Sequence, residues 1–212
     1  MIYLSNELWF PEITEAEKDG LLAVGGDLSA ERLLLAYRSG IFPWFNDGDP
    51  ILWWSPNPRM VLFPEKLKVS KSLRRIVNRN KFEITFNKAF AEVIEHCAKM
   101  KREGQAGTWI TDDMLEAYQR LHELGHALSV EVWENGQLAG GLYGINLPNQ
   151  KVFCGESMFS QVSNASKVAL YYLVENLQSK SYQIIDCQVY NPHLESLGAE
   201  EIDREDFLKY LT

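Results

Sequence analysis

Ile184-Ile185-Asp186-Cys187-Gln188-Val189-Tyr190-Asn191-Pro192-His193 is the stretch on which the reading of this chain turns. An apolar lead-in passes into a run of polar groups, and Pro192 then stops a strand. Side chains two apart on a strand point to the same side, so Asp186 and Gln188 are expected to face one way together. A carboxylate beside a carboxamide at the mouth of a sheet can hold and polarise a nucleophile, although neither is a good nucleophile itself. The plainer reading is a buried Asp and Gln satisfying each other at a strand end. The rest of the chain has to decide between the two.

Upstream, the pattern is regular from about residue 60. Ser70 is placed to cap a basic helix over 71–79. Phe82, Ile84 and Phe86 alternate with Glu83 and Thr85, as in a half-buried strand. Asn87 and Thr111 are placed to cap two helices, the first carrying Phe90, Val93, Ile94 and Cys97, the second Met114, Leu115, Tyr118 and Leu121. Leu128, Val130 and Val132 alternate, Asn135-Gly136 is a two-residue hairpin turn, and a strand returns over 138–145. Val152 to Ser157 follows as a strand, Asn164 is placed to cap an apolar helix through Val168 to Leu177, and a short helix closes the chain at about 204–211. The order is β-α-α-β-β-β-α-β-α, which is that of the N-acetyltransferase-like (GNAT) acyl-transfer fold. The fold class is therefore α+β, with a GNAT-like domain over 61–212. In that fold the fourth and fifth strands splay, and acyl donor and amine acceptor meet in the gap. Those strands end here in Glu156-Ser157 and in Asp186-Cys187-Gln188, so two polar clusters far apart in sequence converge.

The first 60 residues differ. They hold Trp9, Trp44, Trp53 and Trp54 of the six tryptophans, and five of the eight prolines. One short helix, capped by Ser29 and closed by Gly40, sits among turns. This reads as a small aromatic-rich domain, with some rings presented outward and others replacing regular structure as core.

The net charge of −8 argues against a nucleic-acid coat, but charge is unevenly spread. Lys66, Lys68, Lys71, Arg74, Arg75, Arg79 and Lys81 are seven of the 21 basic residues, with no acid among them, leaving 14 against 29 acids elsewhere. Such an island is either a local site for a polyanion or a solvated helix face. GNAT enzymes that use acyl-CoA bind its diphosphate on a glycine-containing loop before the third helix. The matching segment here, Phe159 to Lys167, has no glycine. Fold and loop together point to acyl transfer from a carrier other than CoA, one with a polyanionic body and bases that stack on tryptophan.

Cys97, Cys154 and Cys187 are odd in number and lack CxxC spacing, which predicts a reducing cytoplasm without a disulfide framework. No metal-ligand spacing is present, so no metal or cofactor is expected. No apolar run approaches the ~20 residues of a membrane span, and the N-terminus does not read as a signal peptide.

Six blocks, in order along nearly the whole chain, resemble the leucyl/phenylalanyl-tRNA–protein transferase family. They are Gly20 to Leu28, Gly40-Ile41-Phe42-Pro43-Trp44-Phe45, Trp53-Trp54-Ser55-Pro56, Gly107-Thr108-Trp109-Ile110-Thr111, Cys154 to Ser160, and Asp186-Cys187-Gln188. The resemblance implies transfer of Leu or Phe, with Met as a further donor, from charged tRNA to the N-terminal amine of proteins beginning with Arg or Lys, marking them for degradation. It implies a small N-terminal domain over 1–60 followed by the GNAT-like catalytic domain. Trp44 and Trp109 are implied to hold the terminal adenosine, and Leu142, Phe153, Met158, Leu173 and Ile185 to line the pocket for the donated side chain. Glu156, with Asn191 beside it, is implied to meet the acceptor's basic side chain. Gln188 is implied to draw on the attacking amine while Asp186 hydrogen-bonds to and polarises Gln188. Lys71, Arg74, Arg75 and Arg79 suit tRNA phosphates. An N-acetyltransferase using acetyl-CoA and a non-catalytic tRNA-binding module are the competing readings. The second would have no use for Glu156, Asp186 or Gln188.

Overall fold

A computed structural model describes residues 1–100 and 109–212. Gly107 and Thr108 of the fourth block lie outside the described residues.

A small mixed sheet forms first, from β1 (Ile2–Leu4), β2 (Leu21–Gly25), β3 (Phe42–Pro43) and β4 (Leu52–Trp54), in the order β1-β2-β4-β3. Helix α1 (Ala30–Arg38) is capped by Ser29, whose hydroxyl accepts from the Arg32 amide, and ends at Gly40 in a left-handed conformation. The aromatic residues of this region divide between two tasks. Trp53 is fully buried, donates to the Gly25 carbonyl at 2.8 Å and meets Phe10 edge-on, so it is core. Trp44 keeps 38% of its surface exposed.

The larger sheet has seven strands. In chain order they are β5 (Arg59–Leu62), β6 (Glu83–Phe86), β7 (Ala127–Glu134), β8 (Gln137–Leu147), β9 (Val152–Ser160), β10 (Ile184–Gln188) and β11 (Glu200–Ile202). Across the sheet they run β11-β5-β10-β9-β8-β7-β6. Every pair is antiparallel except β9 and β10. A parallel pair needs a crossover, and α5 (Ala165–Ser179) supplies it. Asn135 and Gly136, both at positive φ, make the expected hairpin turn between β7 and β8. The remaining helices are α2 (Lys71–Asn78), α3 (Phe90–Lys99), α4 (Asp112–Glu123), α6 (Pro192–Ser196) and α7 (Arg204–Leu208).

Strand alternation sorts the core into two clusters, one on each face of the sheet. Tyr143, Cys154 and Ile184 pack with α1, α3, α4 and the small sheet. Their neighbours Leu142, Phe153 and Ile185 pack with α2 and α5. Burial on both faces is why these strands read as near-continuous apolar runs.

From residue 82 the expected order holds through β10, with the fourth and fifth expected strands becoming the parallel pair; α6 and β11, neither of them expected, then stand between β10 and the closing helix. Three expectations need correction. β5 was not anticipated, because its four residues follow Pro56 and Pro58 and open with a charge, yet all four are buried beside β10. Asn87 does not cap α3; its side-chain oxygen accepts from the Ser129 amide of β7, and Ala89 takes the cap position without a side-chain bond. Asn164 stands at the start of α5 in a left-handed conformation without capping it, and the Ser166 amide goes to the Ser160 hydroxyl instead.

Candidate active site

β9 and β10 stay paired through Ile184–Val152, Ile185–Phe153 and Asp186–Cys154. Beyond that point each strand carries one extra residue against its outer neighbour. In β9, Tyr143 faces Ser157 and Gly144 faces Gly155, so Glu156 is the bulged residue. In β10, Asp186 faces Val61 while Gln188 faces Met60, which makes Cys187 the bulge. Bulges bend strands and re-aim side chains. Two of them, side by side, open the gap at the end of the parallel pair. Gly144 is required there: a Cβ would lie 2.2 Å from the Cys154 carbonyl oxygen.

Glu156 and Gln188 meet across the gap. The Gln188 Nε2 donates to Glu156 Oε1 at 2.9 Å, and the Tyr118 hydroxyl donates to Oε2 at 3.0 Å. The hydroxyls of Tyr37, from α1, and Tyr118, from α4, share a further hydrogen bond. Burial pushes the Glu156 carboxyl up to about 8. Hydrogen bonds from the tyrosines and Gln188 oppose that rise, and the charge of Asp186 adds to it. Both tyrosines are held well above their ordinary range, by burial first and by the Glu156 charge second.

Asp186 is arranged differently from expectation. Its carboxylate is 1% exposed and forms a two-point pair with Arg59: Nε to Oδ1 at 2.8 Å and Nη2 to Oδ2 at 2.6 Å. Oδ1 also accepts the Gln188 backbone N–H at 2.9 Å. Asp186 therefore fixes the backbone of Gln188, and its link to that residue does not run through the carboxamide. The group that orients the carboxamide is Glu156. Held this way, the Gln188 NH2 faces an oxygen of the Glu156 carboxyl group, and its carbonyl oxygen is left for another donor. Arg59 is itself clamped, donating to the Gly40 carbonyl at 3.2 Å between the rings of Phe42 and Phe207, each 4.8 Å away.

A cavity of about 620 Å³ lies at the gap. Leu142, Phe153, Met158, Leu173 and Ile185 all line it, and they belong to the core on the α5 face. Trp44, Trp109 and Tyr143 line it from the opposite side. The cavity thus passes from one face of the sheet to the other where the strands part. Glu156 is the one acidic residue lining it among the described residues.

A model of the family described as leucyl/phenylalanyl-tRNA protein transferase matches residues 61–212, and one of its N-terminal domain matches residues 26–57. The chain belongs to this family. A leucyl/phenylalanyl-tRNA–protein transferase of Flavobacterium psychrophilum is 59% identical over 211 residues, covering 100% of this chain and 99% of the relative. One from Shigella dysenteriae is 56% identical over 201 residues, 95% of this chain and 84% of that protein. Solved structures that it resembles lie further off; a conserved protein of Bacteroides thetaiotaomicron has a TM-score of 0.46 at 15% identity, over 73% of this chain and 55% of that one.

For a leucyl/phenylalanyl-tRNA–protein transferase family member, the aromatic walls of the cavity are unequal. Trp109 is 8% exposed, whereas Trp44 is far more open and is braced from behind by Trp54, which donates to the Trp44 carbonyl at 2.7 Å. Asn191 lines the cavity, but its Oδ1 caps α6, accepting the amides of His193 and Leu194. Its oxygen is thus committed to the helix. Lys71, Arg74, Arg75 and Arg79 all project from α2 or its end into solvent, and none forms an ion pair among the described residues. At the ends of the basic run, Lys66 pairs with Glu200 and Lys81 with Glu134.

Arg59, Tyr37 and Tyr118 were missed from sequence. Tyr37 and Tyr118 sit at helical spacing among apolar residues and read as core, which they also are. Arg59 offered one signal, a lone charge opening the apolar run Met60-Val61-Leu62-Phe63. Among the described residues no cluster of His, Cys, Asp and Glu could hold a metal ion, and no helix is long and apolar enough to cross a membrane.

Proposed function

We propose that this chain transfers leucine or phenylalanine, and methionine as a further donor, from aminoacyl-tRNA to the N-terminal α-amine of cytoplasmic proteins that begin with Arg or Lys, marking them for degradation. The observation that carries this reading is a single cavity in which an apolar pocket, two indole walls, one carboxylate and one oriented carboxamide meet.

In this reading the donated side chain enters the pocket of Leu142, Phe153, Met158, Leu173 and Ile185. The terminal adenosine lies against Trp44, supplied by residues 1–60, and Trp109, supplied by residues 61–212. Base–indole stacking contributes ~1–3 kcal/mol per base. The acceptor's cationic side chain approaches Glu156, and a carboxylate can meet either guanidinium or ammonium; Asn191 stands beside that path as a wall, its side-chain oxygen already bound to α6. The ester is already activated, so positioning supplies most of the acceleration. The α-amine nitrogen attacks the ester carbon; a C–N bond forms, the bond to the 3′-oxygen breaks, and the proton leaving nitrogen ends on that oxygen. Gln188 accepts a hydrogen bond from the amine and aligns it; a carboxamide is too weak a base to take the proton outright. Asp186 and Glu156 act through Gln188, the first on its backbone and the second on its amide. Lys71, Arg74, Arg75 and Arg79 take tRNA phosphates.

The acetyl-CoA alternative is disfavoured by the start of α5, where the amides of Ala165 and Ser166 are taken by the Val162 carbonyl and the Ser160 hydroxyl. The test is incubation of Leu-tRNA with peptides starting in Arg, Lys or Ala. Transfer to Arg and Lys but not Ala is expected. Transfer to none, with tRNA still bound, leaves a binding module.

A further inference from the structure

Away from the cleft, a second concavity of about 400 Å³ gathers positive charge. Lys68 and Ser70, from the approach to α2, line it together with Lys167, from the first turn of α5, and Ser196, from the end of α6. Its floor is apolar, from Leu73 and Leu197. The two lysines come from distant parts of the chain, and neither forms an ion pair among the described residues. Neighbouring Lys66, by contrast, is paired with Glu200. Two like charges around one hollow repel each other until an anion enters.

The hollow shares a wall with the cleft. α6 turns Ser196 and the following Leu197 toward the hollow, and His193 and Leu194 toward the cavity of the active site. Lys167 is close enough to His193 to help burial pull the imidazole below its ordinary range. On the other side, Lys68 leads directly into Lys71, Arg74 and Arg75 of α2, all exposed. A positive path therefore runs from α2, through the hollow, to the mouth of the cleft.

We propose that this hollow seats a backbone phosphate of the RNA strand whose 3′ end enters the cleft, with Lys68 and Lys167 as its cationic ligands and the Ser70 hydroxyl as a donor; the Ser196 hydroxyl is given to the His193 carbonyl and only lines the wall. The inference rests on the reading of aminoacyl-tRNA as the donor. It adds a contact set between α2 and the reacting end, so it governs where the strand turns into the active site. Residues on α2 anchor the RNA body; Lys68 and Lys167 set the register of its last nucleotides.

The test compares two donors with an Arg-starting peptide: Leu-tRNA, and 3′-leucyl-adenosine, which has no phosphodiester. Lys68→Ala and Lys167→Ala are each expected to raise KM for Leu-tRNA about five- to tenfold without changing kcat. Each should also flatten the dependence of log KM on log salt by about one. KM for leucyl-adenosine should not move, and Lys167→Arg should restore the tRNA value. Unchanged KM and salt slope for Leu-tRNA, or an equal rise for leucyl-adenosine, overturns the proposal. So does inorganic phosphate that raises the melting temperature of the wild-type protein but not of Lys167→Ala while leaving KM for Leu-tRNA unaltered, since the hollow then takes a free anion. If the wild-type protein transfers from neither donor, the donor reading itself falls. Direct binding of uncharged tRNA across a salt series then gives the same comparison of slopes for the two variants.

Discussion

Replacing Asp186 by alanine should cost stability as well as turnover. Asp186 and Arg59 are each 1% exposed and joined by two short charged hydrogen bonds. Truncating one partner of a buried pair leaves the other charge uncompensated, at about 3–5 kcal/mol. The Gln188 amide also loses its acceptor, a further ~1 kcal/mol. Against a total of ~5–15 kcal/mol for a folded protein, that is a large share. With a urea dependence of ~2 kcal/mol per molar, the unfolding midpoint should fall by roughly 2 M. Equilibrium urea unfolding followed by tryptophan fluorescence reads this directly, and transfer is measured separately below the transition. The paired change Arg59→Met with Asp186→Leu removes both charges and should recover most of the midpoint. It should not recover transfer, because nothing then anchors the Gln188 backbone. A midpoint for Asp186→Ala equal to the wild-type value would refute the argument that Arg59 depends on this carboxylate.

Glu156→Gln should flatten the pH dependence of stability. With the carboxyl raised from 4.5 to about 8, the native state keeps a proton that the unfolded chain releases. The stability it contributes is complete below about 4.5 and is lost as pH rises through about 8, by about 5 kcal/mol in all. Unfolding free energies at pH 5 and pH 8 for protein and variant check the sign. An Arg-starting peptide should expel the same proton when it binds below pH 8, seen by calorimetry in buffers of different ionisation enthalpy; Glu156→Gln should show no such release. Trp44→Ala should raise donor KM about 5- to 150-fold, the kinetic equivalent of ~1–3 kcal/mol of stacking, with kcat little changed. Leu173→Ala should move donor preference toward Phe by about tenfold in relative kcat/KM, since the pocket gains room, while unfolding at a lower temperature.

Much of the larger sheet was legible because its cues are local. Asn135-Gly136 specifies a hairpin, and Ile184-Ile185 continues into Asp186 as a buried strand does. β5 was hidden because four residues between a proline-rich turn and another proline carry too little pattern, and their burial is conferred by β10 and β11 on either side. The small N-terminal sheet was hidden for a related reason: its strands run two to five residues and are separated by loops. In the site, residue identities at the ends of β9 and β10 were readable, whereas their connections were not. Alternation placed Asp186 and Gln188 on one side, but partner choice depended on bulges at Glu156 and Cys187 and on Arg59, 127 residues away in sequence from Asp186. Asn87 and Asn164 illustrate the converse, good cap residues drawn elsewhere by long-range bonds or an αL backbone.

The bulge in β10 leaves Gln188 at φ +66°, a conformation that costs roughly 1–2 kcal/mol for most L-residues and less for Asn or Gly. The position is thus occupied by a residue its backbone disfavours. Selection for folding alone would replace it: Gln188→Asn should unfold at higher urea and transfer far more slowly, its shorter arm falling short of Glu156. At this residue robustness and activity are opposed, and a screen for hardier variants of the protein would discard the chemistry first.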